Sequence, residues 1–257
     1  MLSFDLYASR TTAASSAISL TCGLWFSLAT ARHNTHHVVT NEVANDPDIK
    51  TTPFLHFAQQ FPDLAARLRK YPRIVSYQYA YYLPFIAVLD LYWRFESIQY
   101  LVRHYGTLWR RTFTLVLHYM LLAYVWSCCG IWPLIAATLL RGFATALIVF
   151  ATHYSEERIR PEDAQHMSLL EQTVRTSRNI TGNAVLHFLA GNISYQIEHH
   201  LFPMLPRSNL PVIQPRVRAL CAKHQLPYNQ DTLVDCTLRA VRSLHPVNAL
   251  SLLHSLN

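Results

Sequence analysis

Charged residues are scarce in this 257-residue chain. Asp, Glu, Lys and Arg make up 14% of it, and hydrophobic residues make up 51%. In a typical soluble domain roughly a quarter of the residues are charged. This shortage predicts that part of the chain is immersed in lipid. The net charge of +7 indicates an anionic partner. Because Arg and Lys form no long run, a membrane surface is favoured over nucleic acid.

The chain also lacks the cysteine pattern of a disulfide-bonded framework. It has five cysteines, an odd number, and no CxxC pair. A reducing or membrane compartment fits this pattern. The N-terminal segment is not a convincing signal peptide, because Asp5 precedes any basic residue and Thr and Ser interrupt the apolar stretch.

A long apolar segment predicts membrane helices in the middle of the chain. Residues 112–140 contain no formally charged side chain, and the apolar sequence continues beyond Arg141. The segment is too long for one straight helix to cross a hydrocarbon core of about 30 Å. Since Gly130 and Pro133 offer a turn, we predict a helical hairpin over 112–152 that crosses the membrane twice.

The segments around this hairpin are less apolar. Residues 15–31 form either a short membrane helix or an interfacial segment, and 54–73 predict an amphipathic connector. The many aromatic rings of 74–93 predict an interfacial or partly inserted helix. Residues 153–257 predict a polar, helical cap. The expected fold is therefore an all-α, multi-pass membrane domain spanning 1–257.

Two groups of histidines carry the chemical signal. One group spells HNTHH and the other ends QIEHH, and their histidines are His33, His36, His37, His199 and His200. On a helix, positions i, i+3 and i+4 share a face, so each group can aim two or three imidazoles at one point. Imidazole binds iron, zinc and copper. For either group alone the alternative is a polar surface helix, but two groups at the edges of apolar regions favour a shared metal site.

The expected topology agrees with a shared site. The predicted hairpin crosses the membrane an even number of times between His37 and His199, which returns both groups to one side. An odd number of crossings would separate the groups by the whole bilayer. This is the reason for placing 74–93 at the interface and not across the membrane.

The motifs resemble those of front-end fatty-acyl desaturases and the related sphingolipid desaturases. HNTHH followed by DPD matches the second histidine box of that family, and QIEHHLFPMLPRSNL matches the third, which has Gln in the first place. LYWRFESI (91–98), FATHYSEE (150–157) and TSRNITGN (176–183) occur in the expected order. The resemblance runs from about Gly23 to Tyr228.

The resemblance implies a di-iron enzyme of the endoplasmic reticulum with its histidine boxes facing the cytosol. It would use O2 and electrons from cytochrome b5 to introduce a cis double bond into the acyl chain of a lipid. The implied iron ligands are His33, His36, His37, His199 and His200. Gln196 is implied as a ligand or as a neighbour of one. His153 matches a further histidine of the family, or else it caps a helix C-terminus.

The sequence also departs from the family. The family's first histidine box, an HDxxH-like motif, and its cytochrome b5 domain with an HPGG segment are missing, and no histidine precedes His33. Because two irons need more ligands than the remaining boxes supply, we expect a truncated chain that does not desaturate lipid by itself. One alternative is a non-catalytic, desaturase-derived protein that binds lipid or a partner desaturase. Another is a hydroxylase or zinc-dependent hydrolase on the same scaffold.

Three other polar sites have simpler interpretations. His118, inside the first hairpin helix, is expected to be a neutral histidine that is hydrogen-bonded to a neighbouring helix. Asn179 and Asn192 fit the glycosylation pattern, but they lie on the side of the histidine boxes, so neither is expected to be used.

Overall fold

The computed structural model describes residues 26–43, 45–49, 55, 72–103 and 105–245. Most of the predicted connector 54–73 and the first part of segment 15–31 lie outside these residues. The described chain is mainly helical, as predicted. Its longer N-terminal helices are α1 (Phe26–Val38), α2 (Pro72–Arg103), α3 (Tyr105–Cys129) and α4 (Ile131–His153).

The C-terminal part consists of shorter elements. In chain order they are α5 (Pro161–Ala164), α6 (Leu169–Thr176), β1 (Asn179–Thr181), α7 (Ala184–Leu189), α8 (Gln196–Leu201), a 3-10 turn (Arg207–Asn209), α9 (Leu210–Lys223), β2 (Gln230–Thr232) and α10 (Leu233–Ser243). Three of these helices have an N-cap side chain that accepts a backbone N–H of the first turn. The caps are Ser168 for α6, Asn183 for α7 and Thr232 for α10.

The predicted hairpin segment contains two helices that meet at Gly130. Gly130 has a φ of +80°, a left-handed conformation that glycine adopts without steric cost. Pro133 is not part of the turn: it lies in the first turn of α4, where a missing N–H leaves no helical bond unmade. Both helices extend beyond the predicted bounds, and α2 likewise continues past residue 93 to Arg103.

One helix of the described part, α4, is long and apolar enough to cross a membrane. Leu115–Cys129, within α3, is a shorter apolar segment. Helix α2 does not qualify as such a helix. Two crossings in this region therefore remain a prediction.

The chain forms two compact units, Met1–Asn34 with Ala87–Phe143 and Thr35–Ile86 with Ala144–Asn257. The first unit contains a partly buried group of charges. Arg94 Nε donates to Asp90 Oδ2 at 2.8 Å, and Arg141 pairs with the other carboxylate oxygen. Arg94 Nη1 also donates to His118 Nε2 at 3.1 Å. His118 of α3 thus accepts from α2, which confirms the expected contact with a neighbouring helix.

The second unit has a small apolar core beside a two-stranded sheet. Val174, Ile197 and Val217 bring α6, α8 and α9 together. Strands β1 and β2 are parallel, with Ile180 opposite Asp231. The predicted all-α fold lacked this sheet, because strands of three residues are too short to show an alternating pattern in the sequence.

Candidate metal centre

The second histidine box lies at the C-terminal end of α1. Beyond the helix, Asn41 adopts a φ of +56°, a conformation that Asn tolerates better than most residues. Its side-chain amide donates to the carbonyl of His153 at 2.9 Å and to that of Glu157 at 3.1 Å. These bonds satisfy carbonyls at and just beyond the C-terminus of α4. The turn after the second box is thereby attached to the end of the helix that carries His153.

The third histidine box forms the short helix α8. Asn179 Oδ1 accepts the backbone N–H of Ile197 at 2.9 Å, and Asn179 Nδ2 donates to Glu198 Oε2 at 2.8 Å. Tyr228 donates to the other oxygen of Glu198 at 2.7 Å. Burial raises the pKa of Glu198. Because Glu198 is fully buried, its hydrogen bonds to Asn179 and Tyr228 hold α8 in place.

Three buried histidines from different elements meet in the second unit. His36 of α1, His153 of α4 and His200 of α8 are each 2% exposed. One ligand atom of each lies within 4.8 Å of the others. Nitrogens bound to one ion at about 2.1 Å lie roughly 3.4 to 4.2 Å apart. Small side-chain movements would therefore allow all three imidazoles to bind one ion.

Each of the three histidines has a hydrogen-bond partner at Nδ1. His36 Nδ1 contacts Asp46 Oδ2 at 2.9 Å, and His153 Nδ1 contacts the carbonyl of Thr176 at 3.0 Å. His200 Nδ1 contacts Thr40 Oγ1 at 2.9 Å. Histidine ligands of metals commonly donate their second N–H to such an acceptor, which directs the other nitrogen to the ion. In this cluster the nitrogen left for a metal is Nε2.

The pKa values of His36 in the second box and His200 in the third box are shifted in opposite directions. Burial lowers the pKa of His36, but the hydrogen bond and charge of Asp46 outweigh burial, so this pKa lies above its ordinary value. Burial, with the neighbouring His37 and His153, holds the pKa of His200 well below its ordinary value. His200 is thus the neutral base that a metal requires.

Gln196 lies beside the Nε2 atoms of this cluster. Its amide nitrogen is 2.8 Å from His153 Nε2 and 3.1 Å from His200 Nε2, so it donates to both. Its oxygen is buried and accepts no hydrogen bond from the described residues. A buried amide oxygen without a donor is costly unless a cation or a donor completes it. The three imidazole nitrogens fit a metal ion, and the buried Gln196 oxygen is a further acceptor beside them that has no donor among the described residues.

A second pair of histidines lies next to the three. The His37 ring stacks on His200 with centroids 4.1 Å apart and meets the edge of His199 at 4.7 Å. His33 lies on α1 one turn before His37, on the same helical face. Five of the histidines named from the sequence, together with Gln196, are thus close neighbours in the second unit.

Other polar residues named from the sequence lie apart from this cluster. Asn192 has a φ of +60°, a conformation that Asn adopts more readily than most residues. Asn179 is buried and hydrogen-bonded to Glu198. Cys128 and Cys129 end α3, and both are exposed.

The sequence did not indicate the partners of the histidines. Thr40, Asp46 and Thr176 were not singled out, although Asp46 begins the DPD that follows the second box and Thr176 begins TSRNITGN. A motif match identifies the segments that lie beside the boxes. It does not show which of their atoms contacts which imidazole.

Comparisons with known proteins show the family of this chain. The model of the fatty acid desaturase family matches residues 6–232. An acyl-lipid 8-desaturase of Rebecca salina is 47% identical over 215 residues, which cover 83% of this chain and 49% of that protein. A delta(8)-fatty-acid desaturase of Euglena gracilis is 28% identical, covering 77% of this chain and 50% of the relative.

A delta(6)-fatty-acid desaturase of Caenorhabditis elegans is 29% identical, covering 79% of this chain and 49% of the relative. The chain thus spans about half the length of the curated relatives that it matches. No solved structure matches it. Since the family match covers most of the residues, this chain belongs to the fatty acid desaturase family.

Proposed function

We propose that this chain forms the iron-binding part of a front-end acyl-lipid desaturase. The observation that carries the proposal is the meeting of His36, His153 and His200, each with an acceptor at Nδ1 and with Nε2 directed into a buried cluster. We propose His37 and His199, with His33 on the same face of α1, as ligands of a second iron.

The proposed reaction is the oxidation of a –CH2–CH2– segment to –CH=CH–. The acyl chain loses two hydrogen atoms, and a donor supplies two electrons and two protons, so that one O2 becomes two waters. Bound iron would supply the activation of O2. Acceptors at Nδ1 of His153 and His200 hold a proton there and leave Nε2 of these rings unprotonated, and burial excludes water.

The donor and the membrane belong to the same proposal. We propose cytochrome b5 as the electron donor and the acyl chain of a membrane lipid as the substrate. We also propose that the protein is a multi-pass membrane protein of the endoplasmic reticulum with this cluster on the cytosolic side. The apolar helix α4, which ends at His153, supports a site close to a membrane face.

Metal content tests the site directly. The full chain, purified from membranes, should contain iron, and His36→Ala, His153→Ala and His200→Ala should each remove the iron of this site, which lowers iron from about two to about one per chain if the second site stays filled. His166→Ala is the matched control, because His166 is exposed and lies outside the cluster. If the three variants keep as much iron as His166→Ala, the proposed site is wrong.

Lipid analysis tests the reaction. The chain is expressed with cytochrome b5 in a host fed with polyunsaturated precursors, and its lipids are examined for a new double bond. Because one relative is an 8-desaturase, carbon 8 is the position to examine first. Iron without a product is the expected result for this chain by itself, and a new double bond would contradict that expectation. Lipid binding without iron would favour the non-catalytic alternative.

A further inference from the structure

Thr40 contacts both histidine boxes through one hydroxyl group. It follows α1 and is 2% exposed. Its Oγ1 is 2.7 Å from the carbonyl oxygen of His36 and 2.9 Å from Nδ1 of His200. A residue next to the second box therefore touches a ring of the third box, which lies 160 positions along the chain.

The single proton of this hydroxyl determines the direction of both bonds. The carbonyl of His36 can only accept, so the Thr40 hydroxyl donates to it. No hydrogen remains for the contact with His200, and Oγ1 must accept there. Nδ1 of His200 consequently carries a proton, and Nε2 of a neutral ring carries the lone pair.

The contact at the other ring nitrogen of His200, Nε2, independently indicates the same tautomer. The carbonyl of Thr176 can only accept, so His153 donates to it from Nδ1 and keeps a lone pair at Nε2. That lone pair requires a donor, which identifies the nearby Gln196 atom as the amide nitrogen. The same nitrogen faces His200 Nε2 and requires a lone pair there too.

We propose that Thr40 is a positioning residue that holds His200 in the Nδ1–H tautomer and turns Nε2 of this ring towards His36 and His153. The role in metal binding rests on the proposed function. The tautomer itself does not, because the hydrogen bonds that determine it are present without a metal.

The tautomer is measured on the metal-free, full-length protein by nitrogen NMR of labelled histidine, with the His200 signals assigned by their loss in His200→Ala. The wild type and Thr40→Ser should show a proton at Nδ1 and none at Nε2. In Thr40→Val the acceptor is gone, and the signals should move part of the way towards the Nε2–H form, because the Gln196 amide still donates to Nε2. A wild-type His200 protonated mainly at Nε2 would overturn the proposal without reference to any variant.

Thr237→Val is the matched control. Thr237 donates to the carbonyl four residues earlier, as Thr40 does, at the same distance of 2.7 Å, but it lies on α10. Thr40→Val and Thr237→Val thus lose the same kind of backbone bond. An equal change of the His200 signals in both variants would mean a general structural effect and overturn the assignment.

Metal titration then measures the consequence for binding. Loss of such a partner of a ligand lowers metal affinity about 10- to 100-fold, so Thr40→Val should bind Fe²⁺ or Co²⁺ that much more weakly. Thr40→Ser and Thr237→Val should stay near the wild type. A wild type that binds neither ion refutes the proposed function, while the NMR result still decides the role of Thr40. Unchanged affinity in Thr40→Val, with binding in the wild type, overturns the positioning role.

Discussion

Asp46 is a buried carboxylate that accepts hydrogen bonds from three groups. Besides His36 Nδ1, it accepts the backbone N–H of Asn41 at 2.7 Å and that of Asp48 at 2.8 Å. These bonds form the turn after the second histidine box and orient its middle ring. The Asp46 side chain thus stabilises this turn and also fixes the orientation of the His36 ring, a proposed ligand.

Replacing Asp46 by Asn should weaken both the turn and metal binding. The amide has one oxygen instead of two, so its NH2 group would face one of the three donors. A buried donor without a partner costs about 1–3 kcal/mol of unfolding free energy. Metal affinity should fall about 10- to 100-fold, as measured by titration with Fe²⁺ or Co²⁺.

Asp48→Asn is the control for this substitution. Its carboxylate lies 3.9 Å from His36 Nδ1 and is 24% exposed, so its charge is better screened by solvent. We expect a loss of less than about 1 kcal/mol in stability and little change in metal affinity. Equal losses in the two variants would show that charge near the box matters and the hydrogen bond does not.

Tyr228 supports the third box from outside the metal cluster. Tyr228→Phe removes the donor to one oxygen of the buried Glu198 carboxylate. Hydrogen bonds to charged groups contribute about 1.5–3 kcal/mol, so the variant should lose that amount in denaturant unfolding. Tyr92→Phe removes an exposed bond of the same length, 2.7 Å to Glu96, and should lose less than about 1 kcal/mol. Similar losses would mean that burial of Glu198 adds nothing.

Among the helices, two glycines have different structural roles. Gly130 separates α3 from α4 with a positive φ, and a Cβ there would meet nothing within 4 Å. Gly142, inside α4, faces α2: a Cβ would lie 2.5 Å from the carbonyl oxygen of Ala87 and 2.9 Å from Cβ of Asp90. Glycine at 130 therefore allows a left-handed backbone conformation, whereas glycine at 142 leaves room for the backbone of α2.

We therefore expect Gly142→Ala to be more destabilising than Gly130→Ala. Gly142→Ala requires the backbones of α2 and α4 to separate, which costs about 1–3 kcal/mol or more. Gly130→Ala places Ala at a positive φ, which costs about 1–2 kcal/mol without a collision. Thermal unfolding in detergent measures the order. The reverse order would mean that α2 and α4 do not approach each other as closely as described.

For the whole molecule, membrane topology is the main prediction still to be measured. A glycosylation tag inserted at Gly130 should be modified, while native Asn179 in the same chain stays unmodified. The physical reason is that an even number of crossings between the boxes places the turn and the boxes on opposite sides. The burial of Asn179 against Glu198 agrees with an unmodified side chain.

Two measurements on the same sample complete this test. The mobility of the chain before and after enzymatic removal of glycans reports which acceptor is used. Alkaline carbonate extraction should leave the chain in the membrane pellet, because α4 is long enough to span a bilayer. Modification of Asn179 would reverse the proposed orientation, and release by carbonate would contradict a spanning α4.

The sequence by itself determined the features that depend on neighbouring residues. Helix periodicity relates positions three and four apart, so HNTHH and QIEHH predicted helical boxes, and both boxes lie in helices. Low charge and apolar length predicted the helical class and the apolar helix α4. The motif order predicted the family.

The tertiary structure alone decided how the histidines are held. The contacts of Thr40 with His200 and of His153 with Thr176 join residues that are distant in sequence, and they arise only when α1, α4, α6 and α8 pack together. Periodicity within one helix carries no information about such contacts, because each depends on the direction of one hydroxyl or carbonyl. Which nitrogen of each imidazole is left for a metal follows from this packing and not from the motif.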